Sequence, residues 1–462
     1  MPKAKKRVAA PDFLPSDERR AQGKALRDLV SRESQGHWKA RKDRRDPVEL
    51  LKDTNKGRLA QLIPIRFGRM MQSPFAFYRG SAALMAADLA TTPHSGIKVQ
   101  LCGDAHLANF GGFATPERRV IFDINDFDET LPGPWEWDVK RLATSFILAG
   151  RHIRLPEKDS ARAAAAAVRS YREHMADYAE MRALEVWYDA IDIDRFLKEI
   201  DSDETRQRVE KRLAEAREKS EPEFLFPKLA KHVGAAPVIV DEPPLIFHPT
   251  ADVAPGVDTQ FKEQWKAYRE SLPEHVRVLF DRFRFCDLAF KAVGVGSVGT
   301  MCAIALFQAS ENDTIFLQIK EASDSVLAPY LEKSAHGHNG ERVVAGQRLM
   351  QAASDMFLGW SRGVSGRDFY VRQLRDVKVS AIFEAFDEDD LRNYGRLCGW
   401  ALARAHARSG DAALVSGYMG SSDVFDNAIC EFAVEYADQT QRDHRAFVKA
   451  VREGRISAVS ND

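Results

Sequence analysis

Asp104 and Asn109 lie five residues apart in the segment Gly103-Asp104-Ala105-His106-Leu107-Ala108-Asn109, and Asp123 follows after a second apolar run. A carboxylate and a carboxamide in one loop can face a common point. The carboxylate can take a proton or orient a nucleophile. The carboxamide oxygen can bind a hard cation that a carboxylate at a strand end also reaches. Asp123, Asp126, Asp128 and Glu129 put four carboxylates into seven residues. Like charges this close repel unless solvent or a cation separates them. One outcome is a metal held first by Asp123 and then by Asp126. The other is a solvated Asx-rich loop between two strands.

A third constellation is Gly294-Val295-Gly296-Ser297-Val298-Gly299. A lone GxGxxG also arises in flexible turns, and a dinucleotide fold would run it from a strand into a helix. Here Met301 to Phe307 and Ile315 to Lys320 follow, which reads as strand, turn and strand. A glycine loop closing a hairpin over phosphates is the protein-kinase arrangement. Lys320 then ends an apolar strand, where its ammonium can meet phosphate oxygens or simply point into solvent. His336 and His338 read as surface residues of a Gly-rich loop, His406 as a packed helical histidine, and Phe75, Phe77 and Tyr78 as core. No GxSxG elbow, HExxH helix or P-loop is present.

The elements that must position these residues follow from periodicity. Strands are predicted over 97–101, 120–122, 283–293, 300–308 and 314–319, and helices over 16–55, 138–153, 158–186, 202–220, 341–358 and 388–408. The Pro-rich stretch from Glu221 to Pro255 reads as a linker or loop-rich insertion. The chain has 462 residues, 44% hydrophobic and 29% charged, which excludes a disordered, collagen-like or membrane-embedded protein. Its 67 basic and 68 acidic residues nearly cancel, against a dedicated nucleic-acid binder. The balance hides a net +8 in residues 1–45 and −9 in the remainder. That basic start either touches RNA or an anionic surface or is a solvated terminus. Five scattered cysteines without a CxxC pair indicate neither a zinc ribbon nor a disulfide framework. No signal peptide or apolar run of about 18 residues is visible, so a reduced, cytoplasmic protein without a membrane partner is expected.

Together the motifs resemble the protein-kinase-like superfamily, nearest to its aminoglycoside and choline kinase branch. Cys102 to Asn109 is similar to the HGDxHxxN catalytic loop, with Cys102 in place of the histidine. Ile121 to Asp126 is similar to the IDxxD metal-binding strand, and Trp137-Asp138-Val139-Lys140-Arg141-Leu142-Ala143 to the segment that anchors the catalytic half. The resemblance implies Asp104 as catalytic base, Asn109 and Asp123 as magnesium ligands, and Asp138 as structural. It implies Gly294, Gly296, Ser297 and Gly299 as the phosphate loop and Lys320 as the phosphate lysine. Glu341 is the best available acid for that lysine. The order is inverted, because the glycine loop follows the catalytic loop by about 190 residues. A circular permutation accounts for this and predicts that Lys320 and Asp123 meet across a cleft. The chain also resembles the domain of unknown function 2252 family, through Ser73 to Gly80, Gly103 to Gly111, Asp123 to Glu129 and Gly346 to Gln351.

The expectation is an α+β, two-lobed, kinase-like fold, circularly permuted, with helical additions. Residues 1–55 form a basic helical extension, 56–220 a catalytic half with a helical insertion, and 221–280 a Pro-rich linker or insertion. Residues 281–385 carry the glycine loop and Lys320, and 386–462 complete the catalytic half. The expected reaction is ATP- and Mg²⁺-dependent phosphoryl transfer to a small acceptor, with Arg79 as an extra phosphate contact. The alternatives are a non-catalytic nucleotide-binding scaffold, a nucleotidyl transferase and a metal-dependent hydrolase.

Overall fold

The computed structural model describes residues 14–197, 203–218, 222–234, 236–243, 245–248, 257–291, 299–311, 313–363, 366–374 and 377–459. The fold is mixed α and β. In the first half, β1 (Lys98–Leu101), β2 (Phe110–Ala114), β3 (Val120–Ile124), β4 (Leu131–Pro134) and β5 (Ile191–Asp192) are short strands. β1 pairs with β4, and β2 with β3, both antiparallel. The helix Glu136–His152 then runs through the interior, with every residue from Glu136 to Gly150 buried. So enclosed a helix cannot be amphipathic in the usual way, and its charged residues must find partners.

Against it pack Glu157–Tyr178 and, from the far end of the chain, Glu388–Ser409 and Val424–Arg452. The Ala-rich run at 163–167 forms a seam. A side chain at Gly399 would strike the carbonyl of Ala167, so the two backbones approach as closely as glycine permits. The sequence pattern predicts one helix over 158–186; the chain instead breaks near Glu180 and resumes as Ala183–Tyr188.

The second half begins with a small hairpin of β6 (Ala230–Val233) and β7 (Ala236–Ile239). It continues with β8 (Ile246–Phe247), β9 (Arg284–Lys291), β10 (Cys302–Ser310), β11 (Asp313–Ala322), β12 (Gly359–Arg362) and β13 (Asp368–Gln373). These last six form one antiparallel sheet in the order β12-β13-β11-β10-β9-β8. β10 is buried on both faces. Ala303, Ala305 and Phe307 pack under Tyr268 and Phe280, and Ile304 and Leu306 pack against Leu229 and Ile246. Successive side chains point to opposite faces, so such a strand reads as a continuous apolar run. The Pro-rich stretch is therefore not a plain linker. Its described parts include the helix Pro222–Leu229, the β6–β7 hairpin and an edge strand of the main sheet.

The helix Asn339–Met350 lies between β11 and β12 in sequence and ends earlier than the predicted 341–358. β14 (Lys378–Ser380) then leaves the large sheet and pairs with β2. Chain from beyond residue 377 thus completes the half that begins near residue 60. No helix among the described residues is long and apolar enough to cross a membrane.

Candidate functional site

The loop after β1 is held from beneath. Asp138, in the first turn of the buried helix, accepts from Cys102 N at 2.8 Å and from Gly103 N at 3.1 Å. His406 lies 3.3 Å from the same carboxylate and 2.9 Å from the Tyr171 hydroxyl. Gly103 has φ +83°, and a Cβ there would overlap the carbonyl of Glu129. Both facts require glycine. A single turn of 3₁₀ helix, Leu107–Asn109, follows. Asn109 turns back and donates from Nδ2 to the carbonyl of Asp104 at 2.8 Å, leaving its side-chain oxygen uncommitted to that bond.

Asp104 faces a cavity, and its carboxylate accepts from Arg141 Nε at 2.6 Å. Burial pushes this carboxyl up, with Arg141 and Arg79 pulling against it. Arg141 lies 4.3 Å over the Tyr78 ring and donates to the Tyr78 carbonyl at 3.0 Å. His106, 3.8 Å from Asp104, is pushed well below its ordinary value by burial and by Arg79 and Arg141, so it is neutral.

The acidic segment divides in two. Asp123 is fully buried, and Arg404 Nη2 donates to both its oxygens, at 2.8 and 2.6 Å. Ala352 N and Ile124 N supply further bonds at 2.9 Å each. Asp123 does not line the cavity, which corrects its expected place beside Asn109. Its neighbour on the site side is Asp126, at the end of a turn begun when Asn125 N donates to Asn109 O at 2.8 Å. Lys320 does not meet Asp123 either. Its ammonium donates to Asp128 at 2.8 Å and stands 4.0 Å from Asp126. The Tyr370 hydroxyl donates to the other Asp128 oxygen at 2.6 Å.

Burial alone would push the Lys320 ammonium down; Asp126 and Asp128 more than offset it and hold it well above its ordinary value. Burial and the Asp128 charge push Asp126 up, whereas Lys320 and Tyr370 overcome burial at Asp128 and hold it at about 2. Burial carries Glu129 to about 7 although Val326 N donates to it at 2.7 Å.

A cavity of about 660 Å³ is lined by Asp104, His106, Asn109, Asp126, Asp128 and Glu129 together with Arg58, Arg66 and Arg79; Lys320 stands behind Asp128 and does not line it. Gly294, Gly296 and Ser297 lie outside the described residues. Gly299 is described: it has φ +94°, and its carbonyl accepts from Leu59 N at 2.7 Å. Glu341 stands 3.5 Å from His336 in the first turn of its helix and is not beside Lys320. Arg342, its neighbour, is the residue that ties this helix to the site. It donates to the carbonyls of Asp128, Thr130 and Ser323 at 2.7–2.9 Å.

Sequence reasoning passed over Arg342, Arg141, Arg58 and Arg66. Arg141 carried a usable signal, being the last of four charges, after Glu136, Asp138 and Lys140, before the uncharged run from Leu142 to Gly150. In the basic tract at 41–45 Arg44 turns inward and bridges Asp88 and Asp443 at 2.8 and 2.6 Å, while Arg41, Lys42 and Arg45 are exposed. Phe75, Phe77 and Tyr78 are core, at 5%, 1% and 1% exposure.

Among the described residues no group of three or more His, Cys, Asp or Glu stands where together they would hold a metal. The donor set of one cavity carboxylate, Asp126, and one carboxamide, Asn109, fits a cation that keeps waters and shares phosphate oxygens, as magnesium does. No curated protein and no solved structure matches the chain. Residues 58–450, which include every side chain of the cavity from Arg58 onward, match one family, and the chain belongs to it: the uncharacterized proteins conserved in bacteria grouped as DUF2252.

Proposed function

We propose that the chain is an ATP- and magnesium-dependent phosphotransferase on a circularly permuted, two-lobed kinase-like fold. The observation that carries this reading is the ion pair of Lys320 with Asp128 and Asp126. It joins the large sheet to the loop system of Asp104 and Asn109 across 192 residues of sequence.

The connectivity supports it. β9 enters the glycine-rich segment, β10 leaves it, and β11 brings Lys320 beside them. Kinases place a glycine loop, a lysine strand and a helix in that sequence, and pair a catalytic-loop aspartate and asparagine with a metal-binding aspartate. Asp126-Phe127-Asp128, directly after the β2–β3 hairpin, takes the last place here, so Asn109 and Asp126 would hold magnesium. A magnesium-bound nucleotide would supply the phosphoryl group and the electrophilic phosphorus. Lys320 neutralises phosphate charge, and Asp104 orients the acceptor and takes its proton. Arg141 fixes the Asp104 carboxylate in place.

Melting with and without ligand tests the binding step. Mg·ATP is expected to raise Tm by several degrees. Asp104→Ala is expected to keep that shift and abolish transfer of labelled γ-phosphate to a metabolite extract. Absence of a shift with both Mg·ATP and Mg·GTP overturns the reading. One observation favours nucleotidyl transfer as a second reading: the acids that hold Lys320 come from the 126–128 loop and not from the helix Asn339–Met350. Label transferred from the α-phosphate, with none from the γ-phosphate, would select it.

A further inference from the structure

Residues from Asp53 to Ala83 line part of the cavity, and two of the arginines in this segment, Arg66 and Arg79, have no carboxylate partner among the described residues. Arg44, Arg141, Arg172, Lys320 and Arg404 each have a carboxylate within 2.9 Å, whereas buried Lys140 stands over the Phe432 ring and buried Arg342 on backbone carbonyls, both away from the cavity lining. Arg66, on the helix Ile63–Met71, is 2% exposed and has only neutral partners. It donates to Asn55 Oδ1 at 2.8 Å, Thr54 Oγ1 at 3.3 Å and Gly80 O at 2.8 Å, and its Nε is buried with no partner. Arg79 ends the helix Pro74–Arg79 with its guanidinium 5.8 Å over the Phe75 ring, and its Nε is likewise buried and without a partner. Among the described residues no carboxylate stands within ion-pair distance of Arg66 or Arg79. Arg58 packs against Gly299 and lines the same cavity.

A buried cation without a counter-ion is costly, and proteins keep one where a ligand supplies the charge. Burial pushes Arg66 down to about 9 and lowers Arg79. Arg79 lines the cavity together with Asp104, whose charge acts on it.

We propose that Arg66 and Arg79 receive an anionic group, phosphate or carboxylate, of the acceptor, so that the molecule phosphorylated is a small anion presenting a hydroxyl or amine to Asp104. The proposal rests on the phosphotransferase reading above. In the step it implies, the acceptor oxygen or nitrogen bonds to the γ-phosphorus while the bond to the β–γ bridging oxygen breaks. ADP leaves with that electron pair, and the acceptor's proton passes to Asp104.

The test is calorimetric titration of inorganic phosphate and, separately, of malonate into the full chain saturated with Mg²⁺ and adenylyl imidodiphosphate. At least one anion is expected to bind, at least tenfold more weakly to Arg79→Met and Arg66→Met, with nucleotide-analogue affinity changed less than twofold. The stronger anion names the acceptor's charged group. Arg79→Lys should recover part of the loss, and Arg79→Met carries the test alone if the buried Arg66 variant misfolds. Three results overturn the proposal: neither anion binds, both variants bind as the parent does, or the anion competes with the nucleotide analogue. If the analogue itself does not bind, the phosphotransferase reading falls. The same anion titrations without it then still decide whether Arg66 and Arg79 form an anion site.

Discussion

Asp123 and Asp126 stand three residues apart in opposite surroundings, and the difference predicts opposite phenotypes. The Asp123 carboxylate is enclosed by Arg404 and two backbone amides. Removing one member of a buried, hydrogen-bonded pair costs about 3–5 kcal/mol, so Asp123→Asn is expected to melt far below the parent. Asp126 carries a charge that burial and Asp128 already disfavour. Asp126→Asn is expected to change stability by no more than about 1 kcal/mol while removing the magnesium-dependent part of any nucleotide-induced shift in Tm. Equal loss of stability in the two variants would refute this division of labour.

Glu129 gives a pH prediction at the same scale. Its pKa is raised from 4.5 to about 7 by burial. Between those values the folded state keeps a proton that the unfolded chain has released, so stability falls as pH rises through that window. Glu129→Gln should flatten the fall, by roughly 1–2 kcal/mol after allowing for the solvent that reaches the cavity. Denaturant midpoints at pH 5 and pH 8 measure it. Residue types and spacing made Asp104, Asn109 and Lys320 legible in the sequence as candidates. They rank Asp123 ahead of Asp126 as a cation ligand, and spacing alone cannot reverse that order, because the distinction is made by Arg404, 281 residues away.

Secondary-structure elements hold these side chains through two devices of different legibility. The glycine-containing seam between Glu157–Tyr178 and Glu388–Ser409 leaves a trace in the sequence, in the alanines at 163–167 and in Gly395 and Gly399. Gly399→Leu is expected to cost about 2–3 kcal/mol by thermal or denaturant melting, since the facing backbone cannot yield as a flexible side chain would. The second device is the first turn of the helix Asn339–Met350. Glu341 is the best available acid for Lys320 on the kinase-like resemblance, because it heads the next helix. The helix instead turns Arg342 toward the site, where it binds three backbone carbonyls from two separate segments. Which side of a helix faces a loop depends on its tertiary setting, and helical spacing in one sequence cannot settle that for a short amphipathic segment. Arg342→Ala should therefore loosen both the acidic loop and the end of β11. The expected result is destabilisation of about 1–3 kcal/mol together with faster amide exchange over residues 126–130.

The whole molecule is interleaved, and its sequence order conceals this. Asp123 and Asp138, both from the first third, are completed by Arg404 and His406 from the last quarter. β14 likewise pairs with β2 across more than 260 residues. The near-zero net charge averages over buried pairs of this kind, so it speaks to solubility and not to what the cavity accepts. Lys320 with Asp128 is one contact that joins the large sheet to the loop system, Tyr370 completes it from the neighbouring strand, and Arg372 adds a bond to the Asn125 carbonyl. If the pair fixes the relative position of the two halves, its members must be energetically coupled and not merely adjacent. Lys320→Met leaves Asp128 buried beside Asp126 with its repulsion unrelieved, and Asp128→Asn leaves the ammonium to Asp126 alone. Each single variant is expected to lose about 3–5 kcal/mol, and the double variant less than the sum of the two by about 1–3 kcal/mol. Denaturant midpoints for the four proteins close that cycle. Additivity to within about 0.5 kcal/mol would mean that the halves are held by their other contacts, Arg342 to the acidic loop among them, and that Lys320 is free to serve a ligand without loosening the molecule.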